Sequence, residues 1–196
     1  MIKIGILGDI GSGKSFVAKK FGFPVFNADK EVNKIYKKNK YCFYRLRKKL
    51  PKYIKSLPIN KIELSRAILA NSQNLRKISK IVHPIVRKEM YLFLKKYTKR
   101  KMVVLDIPLL IENKLNKKND ILVFVDANKS KINRRLKKRF HYNKKLLQNF
   151  RKIQEPLAKK KKLSTYIIKN NFKLLSIENK VKIIKKKILK NERNSS

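Results

Sequence analysis

"GILGDIGSGKSF", residues 5–16, places three of the chain's five glycines, Gly8, Gly11 and Gly13, within six residues, after an apolar run and before Lys14 and Ser15. Gly8 to Ser15 satisfies the spacing G-x-x-x-x-G-K-[ST], and each fixed position has a physical reason. Glycines let the backbone wrap so that successive N–H groups point inward at phosphate oxygens. The helix beginning near Lys14 adds its positive end, the Lys14 ammonium reaches the β- and γ-phosphates, and the Ser15 hydroxyl takes Mg²⁺. A plain tight turn is the alternative, but this loop follows a strand pattern and opens a helix pattern, the context a phosphate loop requires.

Working outward, residues 2–7 read as a short apolar strand, and "KSFVAKKFG" sets Phe16, Val17 and Phe21 on one helix face ended by Gly22. "PVFNAD" predicts a second strand ending at Asp29, and Val32, Ile35 and Tyr36 then recur at helical spacing. From 30 to 98 apolar positions repeat at three and four, which predicts a helical insertion interrupted at His83-Pro84. Residues 102–110 and 121–126 are β-branched runs of strand length. Residues 129–163 read as basic and helical, "TYIIKNN" as a fifth strand, and Ile177, Val181, Ile184 and Ile188 as one face of a packing helix; 191–196 read as a frayed tail. Strands alternating with helices predict an α/β fold with a parallel sheet, in a single domain spanning 1–196.

Lys and Arg number 54 against 12 acids, a formal charge of +42 that attracts any polyanion. The lysines are spread through every segment and no compact Arg–aromatic cluster stands out, so the excess reads as compositional drift and no specific nucleic-acid partner is expected. Scarce acids make each carboxylate at a strand end conspicuous. Cys42 is the single cysteine, which excludes an intrachain disulfide and reads as a buried thiol. No apolar run approaches a membrane span and the N-terminus lacks a cleavage pattern, so a cytoplasmic chain without a membrane partner is expected.

Strand ends carry the ligand crevice in an open parallel sheet. Asp29 there would face an acceptor hydroxyl beside the γ-phosphate, as base or orienting group, or would cap the next helix. Asp106 would hold Mg²⁺ through water, or be a buried or capping residue. Asp126 reads as a helix cap, and Glu112 as an orienting or solvated turn residue. Arg135 and Arg139, four apart, form two guanidinium forks able to close over a transferring phosphate, a spacing also unremarkable in so basic a chain.

The ordered set "GxIGSGKS", "AD" at 28–29, "HP" at 83–84, "DIPLLIEN" at 106–113, "VFVD" at 123–126, the Arg135/Arg139 pair and "QEPLAKKKKLSTYIIKNN" at 154–171 resembles the dephospho-CoA kinase family over about residues 2–190. The resemblance implies ATP-dependent phosphorylation of the ribose 3′-hydroxyl of dephospho-CoA, giving CoA and ADP, the last step of CoA biosynthesis. It implies an adenylate-kinase-like phosphate-loop NTPase fold with a five-stranded parallel sheet, a helical acceptor-binding insertion at 30–98 and a lid at 127–163 carrying Arg135 and Arg139. By matching position, Asp29 is the catalytic carboxylate. Gly8, Gly11, Ser12, Gly13, Lys14, Ser15 and Phe16 form the ATP cradle, with Lys14 also catalytic, and Asn170 borders the ATP base. His83 and Glu112 lie on the acceptor side, and Ser15 and Asp106 serve Mg²⁺. The chain departs from the family pattern at Leu7, Asp9, Phe16, Asn27, Ser164 and Thr165; Asp9 adds a negative charge close to bound phosphates. Two rivals to this function are another small-molecule or nucleoside-monophosphate kinase of the same fold and a basic RNA-binding protein switched by nucleotide.

Overall fold

Runs that are apolar on both strand faces need cover on both sides, which makes residues 102–106 and 121–127 the buried middle of a sheet. The computed structural model describes residues 1–139 and 142–193. Among these, β1 (Ile2–Gly8), β2 (Val25–Asn27), β3 (Met102–Asp106), β4 (Ile121–Ala127) and β5 (Tyr166–Asn170) pair in parallel in the order β2-β3-β1-β4-β5. The helices are α1 (Lys14–Lys20), α2 (Ala28–Lys38), α3 (Lys40–Lys49), α4 (Lys61–Ala70), α5 (Gln73–Lys96), α6 (Lys129–Lys137), α7 (Lys144–Lys152), α8 (Leu157–Lys162) and α9 (Leu174–Arg193). Asparagine caps four of them: the side chains of Asn39, Asn60, Asn128 and Asn143 accept first-turn N–H groups of α3, α4, α6 and α7.

The chain divides into two compact units. The first comprises Met1–Asn27, Tyr97–Tyr142 and the chain from Glu155 onward, and holds the sheet. Ile4, Ile6, Val104, Val123, Val125 and Ile168 point to one sheet face, where Val17 and Phe21 of α1 and Ile177, Val181, Ile184 and Ile188 of α9 close the core. On the other face Gly5 leaves room for Leu110: a side chain there would strike Leu110 and approach Leu122 to 2.9 Å. Leu110 therefore lies fully buried on the sheet and fixes the turn that follows β3.

Three boundaries differ from expectation. β2 stops at Asn27 and α2 begins at Ala28, which puts Asp29 in the first helical turn, with Glu31, where the helix dipole favours carboxylates. β3 stops at Asp106 because Pro108 has no N–H for the ladder. α5 continues through Pro84 for 24 residues. Proline removes one backbone donor, but Ile78, Ile81 and Val82 before it and Met90 after it are buried on one face and hold the helix.

The second unit comprises Ala28–Lys96 and Asn143–Gln154. Its core gathers Ile35, Cys42, Phe43, Leu46, Ile59, Ala67, Ile78 and Val82, and Leu146, Phe150 and Ile153 pack against it. Those apolar residues assign α7 to this unit, so the expected lid segment 127–163 is divided, with α6 and α8 in the first unit; residues 140 and 141 lie outside the described residues. The expected tail is helical through Arg193, and 194–196 also lie outside the described residues. No helix among the described residues is long and apolar enough to cross a membrane.

Candidate active site

β1 runs between β3 and β4, so the loop after Gly8 emerges at the middle of the sheet's C-terminal edge, where open α/β sheets bind ligands. Gly11 (φ 86°) and Gly13 (φ 93°) hold left-handed backbone, and both sit against neighbours. A side chain at Gly11 would come within 3.0 Å of Leu136, and one at Gly13 would strike the Asn170 amide. The Lys14 ammonium donates to the carbonyls of Gly8 (3.1 Å) and Asp9 (2.8 Å), which holds its charge across the loop. No side chain caps α1 at Gly13. The Ser12 hydroxyl is buried without a hydrogen-bond partner, and a phosphate oxygen would supply one. Asp9 is half-buried, and its Oδ1 accepts the Ile10 N–H at 2.7 Å.

The loop has a wall built from α6 and the segment after β5. Ile132 and Leu136 pack at Gly11. Asn170 donates through Nδ2 to the Ser12 carbonyl (2.8 Å) and accepts the Phe172 N–H (2.7 Å). The Arg135 guanidinium lies 4.5 Å from the centre of the Phe172 ring. Phe172 adopts φ 66°, a left-handed conformation rare for an aromatic residue. Sequence reasoning missed it; its only signal is its place two residues beyond Asn170. Arg139 lies past the end of α6, where its N–H donates to the Leu136 carbonyl in a tightened turn (3.1 Å), so the two arginines do not share one α-helical face.

At the neighbouring strand ends, Asn27 and Asp106 are in register and the Asn27 amide donates to Asp106 Oδ2. An aspartate at 27 would set two carboxylates side by side; the amide instead offers a donor to the buried acid. Glu112, expected on the acceptor side, is held in a buried ion pair. Its Oε1 accepts the Lys160 ammonium (2.6 Å) and the Glu155 N–H (2.9 Å), while Oε2 is buried without a hydrogen-bond partner. The "PLLIE" and "QEPLAKKKK" pieces thus meet in one buried ion pair. Lys159 and Lys161 pair with Glu155 and Asp126, so Asp126 serves an ion pair, and Asn128 caps the next helix.

Lys14, Ser12, Asn170 and Arg135 are therefore brought together around one loop, with Ser15 and Phe16 exposed at the start of α1. Asp29, exposed on α2, and His83, half-buried within α5, belong to the second unit. That unit also holds Cys42, whose thiol burial pushes up to about 11. Among the described residues no three His, Cys, Asp or Glu side chains gather around one point. A divalent cation at this loop would draw most of its ligands from phosphate and water, as Mg²⁺ does. The Ser15 hydroxyl and Asp106 carboxylate offer the hard oxygen donors it prefers.

The sequence model of the dephospho-CoA kinase family matches residues 2–176. A dephospho-CoA kinase of Wolbachia pipientis wMel is 36% identical over 170 residues, covering 84% of this chain and 87% of its own. That of Bartonella quintana is 31% identical over 193 residues, covering 96% and 98%. The fold of a solved dephospho-CoA kinase from Campylobacter jejuni superposes with a TM-score of 0.64 at 20% identity, over 97% of this chain and 98% of that one. With a family match across nearly its whole length and relatives above 30% identity, the chain belongs to the dephospho-CoA kinase family.

Proposed function

We propose that the chain performs its family's reaction, transfer of the γ-phosphoryl group of ATP to the ribose 3′-hydroxyl of dephospho-CoA, with the following division of labour. The loop amides of Gly11 to Ser15 and the Lys14 ammonium neutralise the β- and γ-phosphates. Asn170 and the Phe172 ring border the base. Ser15, and Asp106 through water, would hold Mg²⁺, which would supply positive charge to offset that on the β- and γ-phosphates. Asp29 accepts the hydrogen bond of the 3′-hydroxyl and aligns it for in-line attack, and His83 contributes to acceptor binding. Arg135 leaves Phe172 to join Arg139 over the transferring group, excluding water from it. Glu112 serves the acceptor side indirectly, by fixing the turn after β3.

The observation that carries this reading is the loop itself: Lys14 held across the Gly8 and Asp9 carbonyls beside an unpartnered Ser12 hydroxyl and an uncapped helix start. The test is ATP consumption with Mg²⁺ and dephospho-CoA, AMP, CMP or no acceptor, at moderate salt. Turnover with dephospho-CoA alone, yielding CoA, is expected; turnover only with a nucleoside monophosphate overturns it. Asp29→Asn should cut kcat by about 10²–10⁴-fold, the usual worth of a positioned base, with ATP affinity nearly unchanged. Equal losses in both would make Asp29 a structural residue.

A further inference from the structure

Compensation of the chain's positive charge is uneven. Along α8, Lys159, Lys160 and Lys161 each face a carboxylate. Around α3 the reverse holds: residues 32–62 contain eleven Lys and Arg and no Asp or Glu. Sequence order hides what this helix does with its residues, because aromatic, cationic and aliphatic positions alternate along "KYCFYRLRKK". Helical periodicity sorts them. Cys42, Phe43 and Leu46 turn into the second unit's core, while Tyr41 and Tyr44 stay 59% and 64% exposed among the exposed Lys40, Arg45 and Lys48. Both rings are braced. The Arg45 guanidinium lies 5.4 Å from the centre of the Tyr41 ring and donates to its hydroxyl at 2.6 Å. The Tyr44 ring lies 5.4 Å from that of Phe43, which Arg47 covers at 5.9 Å.

We propose that this outward face of α3 binds single-stranded nucleic acid, with bases stacked on Tyr41 and Tyr44 and phosphates held by Lys40, Arg45, Arg47 and Lys48. Flat aromatic surfaces set among cations, one turn of helix apart, are the elements of sequence-tolerant single-strand binding. Base-specific readout is not required. An anionic membrane fits the face less well: apart from the two tyrosines, the large apolar side chains of α3 point into the protein.

The test separates stacking from the attraction any +42 chain exerts on a polyanion. Binding of the full chain to labelled dodecauridylate is followed by fluorescence anisotropy at 0.15–0.3 M NaCl, alongside inorganic polyphosphate of similar charge and phosphatidylserine vesicles. The Tyr41→Ser/Tyr44→Ser variant is expected to weaken dodecauridylate binding at least tenfold, leaving polyphosphate affinity and the salt slope unchanged. Arg45→Gln/Lys48→Gln should weaken both polyanions and reduce the salt slope for the oligonucleotide by about 1.4. Both pairs are exposed, and unchanged thermal unfolding shows that the variants remain folded. No loss with the tyrosine variant, an equal loss for oligonucleotide and polyphosphate, or a loss confined to the vesicles overturns the proposal.

Discussion

Asp9 brings a carboxylate into a loop whose amides and lysine are arranged for phosphate, and its Oδ1 engages the Ile10 N–H. Two effects oppose nucleotide binding there: repulsion between like charges, and occupation of an amide. Asn at this position keeps the acceptor oxygen and removes only the charge. Two unit charges 4 Å apart in water interact by about 1 kcal/mol, so Asp9→Asn should tighten ATP about fivefold in equilibrium titration. An unchanged constant would mean that the carboxylate is already neutralised by its surroundings. Cys42 makes a separate case in the second unit. Burial pushes its thiol from 9.0 up to about 11, and burial with the neighbouring Cys42 raises Tyr36 also. The unfolded chain therefore loses the thiol proton before the folded one does. The stability this contributes is complete below about pH 9 and is lost as pH rises from 9.0 towards 11. The stability of the wild type to denaturant should fall more steeply with pH across that window than that of Cys42→Ala, and the native thiol should react with iodoacetamide far more slowly than the denatured one.

At the scale of elements, the Glu112–Lys160 pair joins the turn after β3 to α8, at 10% and 1% side-chain exposure. Removing one partner of a buried pair strands the other's charge and costs about 3–5 kcal/mol, whereas replacing both often restores much of the loss. Glu112→Gln and Lys160→Met should each destabilise the chain in chemical denaturation, and the double variant should be more stable than their sum implies. Strict additivity would show that the pair is not coupled. This is also where sequence reasoning stopped. It found the strands of the sheet because β-branched runs are continuous in sequence, and it found the loop because glycine spacing is local. It could not see that Glu112 and Lys160, 48 positions apart, neutralise each other, nor that Phe172 stands over the loop, because those facts are made by packing. It left α7 within the expected lid segment for the same reason: Leu146 and Phe150 mark an apolar face, and only the fold says which core that face meets. At Pro84 it gave a local rule too much weight against buried neighbours on both sides.

For the whole molecule, the question is how a chain of +42 stays folded. Most cations lie on the surface, and with only 12 acids few of them are paired. Folding brings these charges closer than they are in the unfolded chain, so self-repulsion opposes the compact state. Raising ionic strength from 0.01 to 0.1 M shortens the screening length from about 30 to about 10 Å, which relieves repulsion between distant cations more than it weakens contact pairs such as Lys160–Glu112. Thermal stability should therefore rise with NaCl over this range, by about 2–4 °C for each kcal/mol of repulsion removed. Multivalent anions should raise it further at equal ionic strength by binding the fold directly, and ATP should do so most, through the phosphate loop. Scanning calorimetry across a NaCl series, then across equal ionic strengths of sulfate and ATP, separates the two contributions. A melting temperature that stays flat or falls with NaCl would show that the few ion pairs outweigh the repulsion. A gain from ATP no larger than that from sulfate would place the anion on the general surface and not in the loop held by Lys14.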